Sequence, residues 1–172
     1  MTPIALVSTA FAVDYLNEAQ AQKVLFKNAD EFIKKSIKLT DQQISKIKEL
    51  SGTRQKNGTP LIWEARKKNK ILGYFFIDEV VGKHEYITYA MALDTENKVL
   101  GMEIMSYRET HGGEIKELSW RQNFIGKKIS DPFQLDVDVP NITGATLSSR
   151  NVLDGVKRLL TLKKLLVDEK IL

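Results

Sequence analysis

The chain has 172 residues, of which 42% are hydrophobic and 28% charged, with a formal net charge of +4 and no cysteine. This length allows one domain with a sizeable core, and the composition is that of a globular protein. The lack of cysteine excludes disulfides, thiolate metal sites and cysteine nucleophiles, and the two histidines argue against a multi-histidine metal site. Basic and acidic residues are interspersed, so nucleic-acid binding is not indicated.

The first twelve residues form an apolar stretch that ends in Ala10-Phe11-Ala12, the small-x-small pattern that signal peptidase cuts. We therefore expect a signal peptide over residues 1–12, truncated at its start because the basic n-region is missing. The mature chain would then begin near Val13 and be exported. The alternative is an ordinary buried N-terminal segment. The stretch is too short to span a membrane.

A helical segment is expected over residues 13–55. The pattern predicts one helix over Leu16–Phe26. A second begins after Thr40 as N-cap, with Gln43 at the capping-box position, and ends at Gly52.

In the middle of the chain, the spacing of apolar residues changes from helical to strand-like. This pattern predicts an antiparallel meander of about four strands, separated by turn-like segments. The strand-like runs are Leu61–Arg66, Ile71–Val80, Tyr86–Leu93 and Val99–Tyr107. A loop over residues 108–113 and a short helix around Ser119–Phe124 follow. The expected fold class is α+β.

A long amphipathic helix over Ser148–Leu166 closes the chain. Its expected apolar stripe consists of Val152, Leu153, Val156, Leu159 and Leu160. Its charged residues, which we expect to face water, are Arg150, Asp154, Lys157 and Arg158.

Hydroxyl side chains crowd around a Gly-Ala pair directly before this helix, in Asn141-Ile-Thr-Gly-Ala-Thr-Leu-Ser-Ser-Arg150. The start of a helix has unpaired N–H groups and a partial positive charge, which together favour an anion. Gly144 and Ala145 allow a ligand close to the backbone. The surrounding hydroxyls can donate hydrogen bonds to phosphate oxygens, and a threonine hydroxyl can be esterified. The alternative is that Thr146, Ser148 or Ser149 only caps the helix.

The segment Thr143-Gly-Ala-Thr-Leu-Ser-Ser149 resembles the flavinylation motif of the FMN-binding domain family, Ser/Thr-Gly-Ala-Thr followed by a helix. This family includes the G subunit of Rnf electron-transport complexes and the C subunit of the sodium-pumping NADH:quinone reductase. The resemblance implies that a flavin transferase joins FMN through its phosphate to Thr146, with Ser148 as the fallback acceptor. The implied cofactor contacts in this motif are Thr143, Gly144, Ala145, Thr146, Leu147 and Ser148.

A second segment, Tyr107-Arg-Glu-Thr-His-Gly-Gly-Glu114, resembles the Glu-Thr loop of the same family, in which a Gly-containing turn precedes a short helix ending in Phe-x-Gly-Lys. The resemblance spans roughly residues 60–165 and implies an FMN-binding domain over residues 56–172. The cofactor contacts that it implies in the loop are Glu109, Thr110, Gly112 and Gly113.

Three aromatic residues near the loop have two interpretations each. His111 could relay a proton to reduced flavin or be a solvated loop residue. Trp120 and Phe124 could flank the flavin ring or anchor a short helix in the core, and the second interpretation is favoured.

Two positions depart from the family pattern. Pro140 stands where many members have Asp, with Asp138 two residues earlier, and His111 stands where many have Pro. The first departure concerns recognition by the flavin transferase, and it leaves reversible FMN binding as an alternative.

The resemblance implies an exported, periplasmic electron carrier that passes electrons between a respiratory donor and a reductase. Its redox partners would belong to a membrane electron-transport complex or be a soluble reductase. The alternatives are a sensor or reservoir module that binds FMN without a covalent bond, and a non-redox interaction domain. An electron-transfer domain is favoured over a stand-alone enzyme because no acid–base set can be identified.

Overall fold

The computed structural model describes residues 13–172, and the predicted signal peptide over residues 1–12 lies outside the described residues. Within residues 13–172, six strands and four α-helices form an α+β fold, which confirms the predicted class. In chain order these are β1 Val13–Asp14, α1 Glu18–Leu25, β2 Glu31–Lys35, α2 Asp41–Ser51, β3 Leu61–Lys67, β4 Lys70–Val81, β5 Tyr86–Asp94, β6 Val99–Tyr107, α3 Leu118–Arg121 and α4 Thr146–Asp168.

The strands form a single antiparallel sheet in the order β1-β6-β5-β4-β3-β2. Strands β3 to β6 are the predicted meander, because their short β-branched and aromatic runs and the turns between them are local features of the sequence. Strands β1 and β2 lie within the segment that was expected to be helical, so that expectation is wrong for Val13–Asp14 and Glu31–Lys35. Strand β2 lies at the edge of the sheet and pairs with β3. It is rich in charged residues and lacks the alternation of apolar and polar residues by which a strand is predicted.

The two predicted helices of the N-terminal segment are confirmed, and the second has the local signals that the sequence indicated. Thr40 Oγ1 accepts a hydrogen bond from the Gln43 N–H at 3.2 Å, and Gln43 Oε1 accepts one from the Thr40 N–H at 2.8 Å. Gly52 ends the helix in the left-handed conformation.

Each face of the sheet is covered by helices. Phe76 of β4 belongs to the core shared with α2 and α4, whereas its neighbour Phe75 belongs to the core shared with α1. On β5, the small side chains of Ala90 and Ala92 lie on the α1 side. The sheet is therefore the middle of three layers, and α4 crosses it over β4 and β5.

The long helix α4 begins at Thr146, and every residue of its predicted apolar stripe is buried. The expectation that Arg158 faces water is wrong. Its guanidinium, with a side chain only 5% exposed, donates hydrogen bonds to Asp78 and Gln55. The hydroxyl of Tyr89 donates to the same Asp78 carboxylate at 2.6 Å. The buried guanidinium of Arg158 on α4 therefore binds one residue of β4 and one residue of the segment after α2.

No helix within residues 13–172 combines the length and the apolar character needed to cross a bilayer.

The buried ion pair generates a stability prediction. Arg158→Met should lower the free energy of unfolding by about 3 kcal/mol, because it leaves the Asp78 carboxylate, which is only 15% exposed, without its cation. Lys157→Met, at the partly exposed neighbouring position on α4, should change it by less than about 0.5 kcal/mol. Urea unfolding monitored by circular dichroism measures both, and equal effects would contradict a structural role for Arg158.

Candidate functional site

The start of α4 has no side-chain cap. The N-cap position is Ala145, whose side chain cannot accept a hydrogen bond, and Thr146 is already the first helical residue. Ser149, inside the helix, donates its hydroxyl back to the Ala145 carbonyl at 3.2 Å. The alternative that Thr146, Ser148 or Ser149 caps the helix is therefore wrong. The N–H groups of the first turn of α4 remain available to an anion.

This uncapped turn lies in a cleft of about 430 Å³ to which three separate segments contribute. The start of α4 contributes one wall, the loop after β6 a second, and the turn between β4 and β5 a third. The lining residues are Lys83, His84, Glu109, Thr110, His111, Gly144, Ala145, Thr146, Leu147 and Ser148. The structure thus brings together most residues of the two sequence motifs.

Two small residues allow the motifs to meet. Gly112 has φ +82°, and a Cβ there would lie 2.1 Å from the Ala145 Cβ and 2.9 Å from the Tyr107 hydroxyl oxygen. No side chain fits at this contact. Gly144, by contrast, has φ +80° and open space where its Cβ would be, so it leaves the backbone accessible beside Thr146.

Glu109 connects the loop after β6 to the β4–β5 turn. Its Oε1 accepts hydrogen bonds from the backbone N–H of His84 at 2.6 Å and of Glu85 at 3.0 Å. Burial by itself would raise the pKa of this carboxyl, but the N–H groups of Glu85, His84 and Lys83 together lower it below its ordinary value of 4.5. A Cβ at Gly82 would lie 2.4 Å from Glu109 Oε1, so a side chain there would displace the Glu109 carboxylate.

The two hydroxyls proposed as acceptors differ in their surroundings. Thr146 is exposed, whereas Ser148 is only 2% exposed. Burial raises the pKa of Tyr107, and a hydrogen bond with the Ser148 side chain opposes this shift. Tyr107 in turn donates its hydroxyl to the His111 carbonyl. Ser148 is therefore engaged in the core of the site, and the Thr146 hydroxyl is accessible.

Other residues singled out in the sequence lie around the cleft. Thr143 is exposed and Gly113 partly exposed, and neither they nor Gly112 lines it. His111 is exposed and its Nδ1 lies 2.9 Å from the Thr110 hydroxyl. Arg150 is exposed on α4.

The aromatic pair of α3 belongs to the core, as favoured. Trp120 and Phe124 are buried, with ring centroids 5.1 Å apart, and the Trp120 Nε1–H donates to the Pro140 carbonyl at 2.8 Å. Asp138 accepts hydrogen bonds from Lys127 Nζ at 2.5 Å and from the Gln134 N–H at 2.7 Å. It therefore holds the preceding loop and is not available at the cleft.

Sequence reasoning missed the contributions of Lys83, His84 and Tyr107. Gly82 before two basic residues marked a turn. The signal that could have placed this turn at the site was the meander itself, since the start of β5 pairs with the end of β6, where the loop begins. The residues present fit a phosphate group, because an exposed hydroxyl, an uncapped helix start and a basic turn share one cleft.

The close contact at Gly112 generates a prediction. Gly112→Ala should destabilise the fold by about 2 kcal/mol or more, since it combines a left-handed backbone with a steric overlap at Ala145. Gly113→Ala is the matched control, because its Cβ would lie no closer than 3.5 Å to Lys116 and its φ is not in the left-handed range. Thermal unfolding of both variants tests this, and an unchanged melting temperature in Gly112→Ala would contradict the contact.

Glu109 generates a pH prediction. Its pKa is lower in the folded state than in the unfolded state, so its stabilising contribution is fully present above pH 4.5 and is lost as the pH falls through the folded-state pKa. The backbone amide resonances of His84 and Glu85 should therefore shift in a step that lies below pH 4.5, followed by NMR. Glu109→Gln should abolish the step, and its persistence there would assign it to another group.

Comparisons with known proteins agree with the two motifs. Residues 82–161 match the model of the FMN-binding domain. The G subunit of the ion-translocating oxidoreductase complex of Buchnera aphidicola subsp. Baizongia pistaciae is 29% identical over 124 residues, which are 63% of this chain and 56% of that protein. The chain thus spans little more than half the length of this curated relative.

Two solved structures share the fold. Shewanella oneidensis NqrC superposes with a TM-score of 0.54 at 12% identity, over 83% of this chain and 87% of that one. The C subunit of the Na⁺-translocating NADH-quinone reductase of Parabacteroides distasonis gives a TM-score of 0.52 at 15% identity, over 86% and 84%. The match of residues 82–161 to the FMN-binding domain confirms the resemblance that the two motifs indicated.

Proposed function

We propose that this protein is an electron carrier whose FMN is bound covalently through a phosphoester to the Thr146 hydroxyl. The observation that carries the proposal is the position of Thr146. It is an exposed hydroxyl on the first residue of an uncapped helix, beside the Glu109–Thr110 loop, within the segment that matches the FMN-binding domain.

Attachment at Thr146 is a phosphoryl-group transfer to a hydroxyl. The bond between Thr146 Oγ1 and phosphorus forms, the bond from phosphorus to the leaving group of the flavin donor breaks, and the hydroxyl proton is released. The product keeps one negative charge, which a helix N-terminus stabilises by about 0.3–1 kcal/mol. Lys83 and His84 line the same cleft and favour an anion there. A flavin transferase would bind the flavin donor and carry out the reaction.

Accessibility favours Thr146 over Ser148 as the acceptor. A transferase has to reach the hydroxyl, and Thr146 is exposed while Ser148 is buried and hydrogen-bonded with Tyr107. The open space at Gly144 leaves room beside Thr146 for the incoming group.

The chain's residues would hold and position the cofactor, which supplies the redox chemistry when it is bound. Glu109, with its carboxylate occupied by backbone N–H groups, keeps the β4–β5 turn against the cleft and is a positioning residue. Its role is thus the placement of Lys83 and His84.

The proposed partners are proteins that donate or accept electrons, in a membrane electron-transport complex or as a soluble reductase. The relative named as a subunit of an ion-translocating oxidoreductase complex supports the first. A location outside the cytoplasm fits a covalent bond, because a cofactor lost there could not easily be replaced.

Co-expression with a flavin transferase, followed by denaturation and intact mass measurement, tests the proposal. We expect a mass gain of one FMN minus water in the unaltered protein and in Ser130→Ala, and no gain in Thr146→Ala. Ser130 is the matched control, since it is an exposed hydroxyl residue outside both motifs that does not line the cleft.

Two results would contradict the covalent carrier. Yellow colour that is lost on denaturation, without a mass gain, would indicate reversible FMN binding. Neither colour nor mass gain would indicate a non-redox interaction domain.

A further inference from the structure

A second and larger cavity, of about 670 Å³, lies between α4, β4 and the segment after α2. This cavity and the first cleft lie along the same side of α4. Leu147 lines the first cleft, and Asn151, Asp154 and Arg158 line the second cavity at positions i+4, i+7 and i+11 from it, on one side of the helix. The β4–β5 hairpin also lines both, through Lys83 and His84 of its turn at the first cleft and through the strand ends Val81 and Tyr86 at the second.

The walls of this cavity suit an uncharged planar ring. Phe76, Val80 and Leu159 provide apolar surface, and Tyr86 at the mouth is 58% exposed and free to stack on a flat ligand. Three acidic lining residues, Asp78, Glu79 and Asp154, are balanced by three basic ones, Arg54, Lys56 and Arg158. A volume of this size with a few polar groups is typical of small-molecule sites.

The polar groups combine donors and acceptors. A guanidinium has five N–H donors, and among the described residues that of Arg158 donates to Gln55 and Asp78. The Tyr89 and Arg158 hydrogen bonds both go to Asp78 Oδ2, so Oδ1 remains as an acceptor. Asp154, half-buried with its pKa raised by that burial, accepts no hydrogen bond from the described residues. The cavity wall therefore presents N–H donors of Arg158 and carboxylate oxygens of Asp78 and Asp154 that a ligand can bind.

We infer that this cavity binds a planar heterocycle with a lactam or imide edge, in which C=O groups alternate with N–H. The C=O groups would accept from Arg158, the N–H would donate to Asp78 or Asp154, and the ring would stack against Tyr86. Two sources have this chemistry: the ring system of an FMN attached at Thr146, or a separate heterocycle. The first source rests on the proposed function.

Riboflavin is the probe, because it has the ring without the phosphate. It is titrated into Thr146→Ala protein made in a host without the transferase, and quenching of its fluorescence is measured. We expect saturable binding of one riboflavin per chain. Asp154→Phe, which fills the cavity from α4, should weaken it at least tenfold, whereas Lys157→Phe, a partly exposed position on α4 that does not line the cavity, should leave it unchanged.

A second variant keeps the test valid if Asp154→Phe fails to fold. Tyr86 is exposed, so Tyr86→Ala should keep the fold and still weaken riboflavin binding about tenfold through lost stacking. The inference is overturned if riboflavin does not bind, or if neither Asp154→Phe nor Tyr86→Ala weakens it. Because Thr146 is replaced throughout, failure of covalent attachment does not affect this result.

Flavinylated protein distinguishes the sources. Loss of riboflavin binding upon flavinylation would show that the attached ring occupies the cavity. Retained binding that is still sensitive to Asp154→Phe would show a site for a separate heterocycle. Both outcomes support the cavity as a heterocycle site.

Discussion

The backbone at Gly112 approaches Ala145 so closely that a single added methyl group would overlap with it. This contact joins the loop after β6 to the first residues of α4, two segments that are separated by about thirty residues of chain. The exposed Thr146 hydroxyl and the Glu109–Thr110 loop share a cleft because these two small residues allow the approach. A larger side chain at either position would push the walls of the cleft apart.

The position of α4 itself depends on its burial against the sheet. The stripe from Val152 to Leu160 packs over β4 and β5, and the buried Arg158 binds Asp78 and Gln55. The helix is held along its length, and its first turn has no cap from a neighbouring hydroxyl. The uncapped start is then a stable feature of the fold, and an anion at Thr146 would supply the missing partner for its N–H groups.

The sequence allowed the meander, the capping box at Thr40 and the two motifs to be predicted, because each depends on residues close together in the chain. Arg158 was placed in water because its partners Asp78 and Gln55 lie 80 and 103 residues away, and a helical pattern treats any arginine as polar. The edge strand β2 has no apolar alternation of its own. The basic turn at Lys83 and His84 was not assigned to the site, although the antiparallel pairing of β5 with β6 places it beside the motif loop, where the Glu109 carboxylate binds it.

The central claim is that Thr146, and no other hydroxyl of the motif, bears the flavin. Trypsin should release this region as one peptide, residues 129–150, which contains Thr143, Thr146, Ser148 and Ser149. Tandem mass spectrometry of that peptide, from protein co-expressed with a flavin transferase, locates the added group. We predict fragments that place the flavin phosphate on Thr146 alone. A flavin found on the buried Ser148, or on Thr143, would contradict the assignment of the accessible helix start as the attachment site.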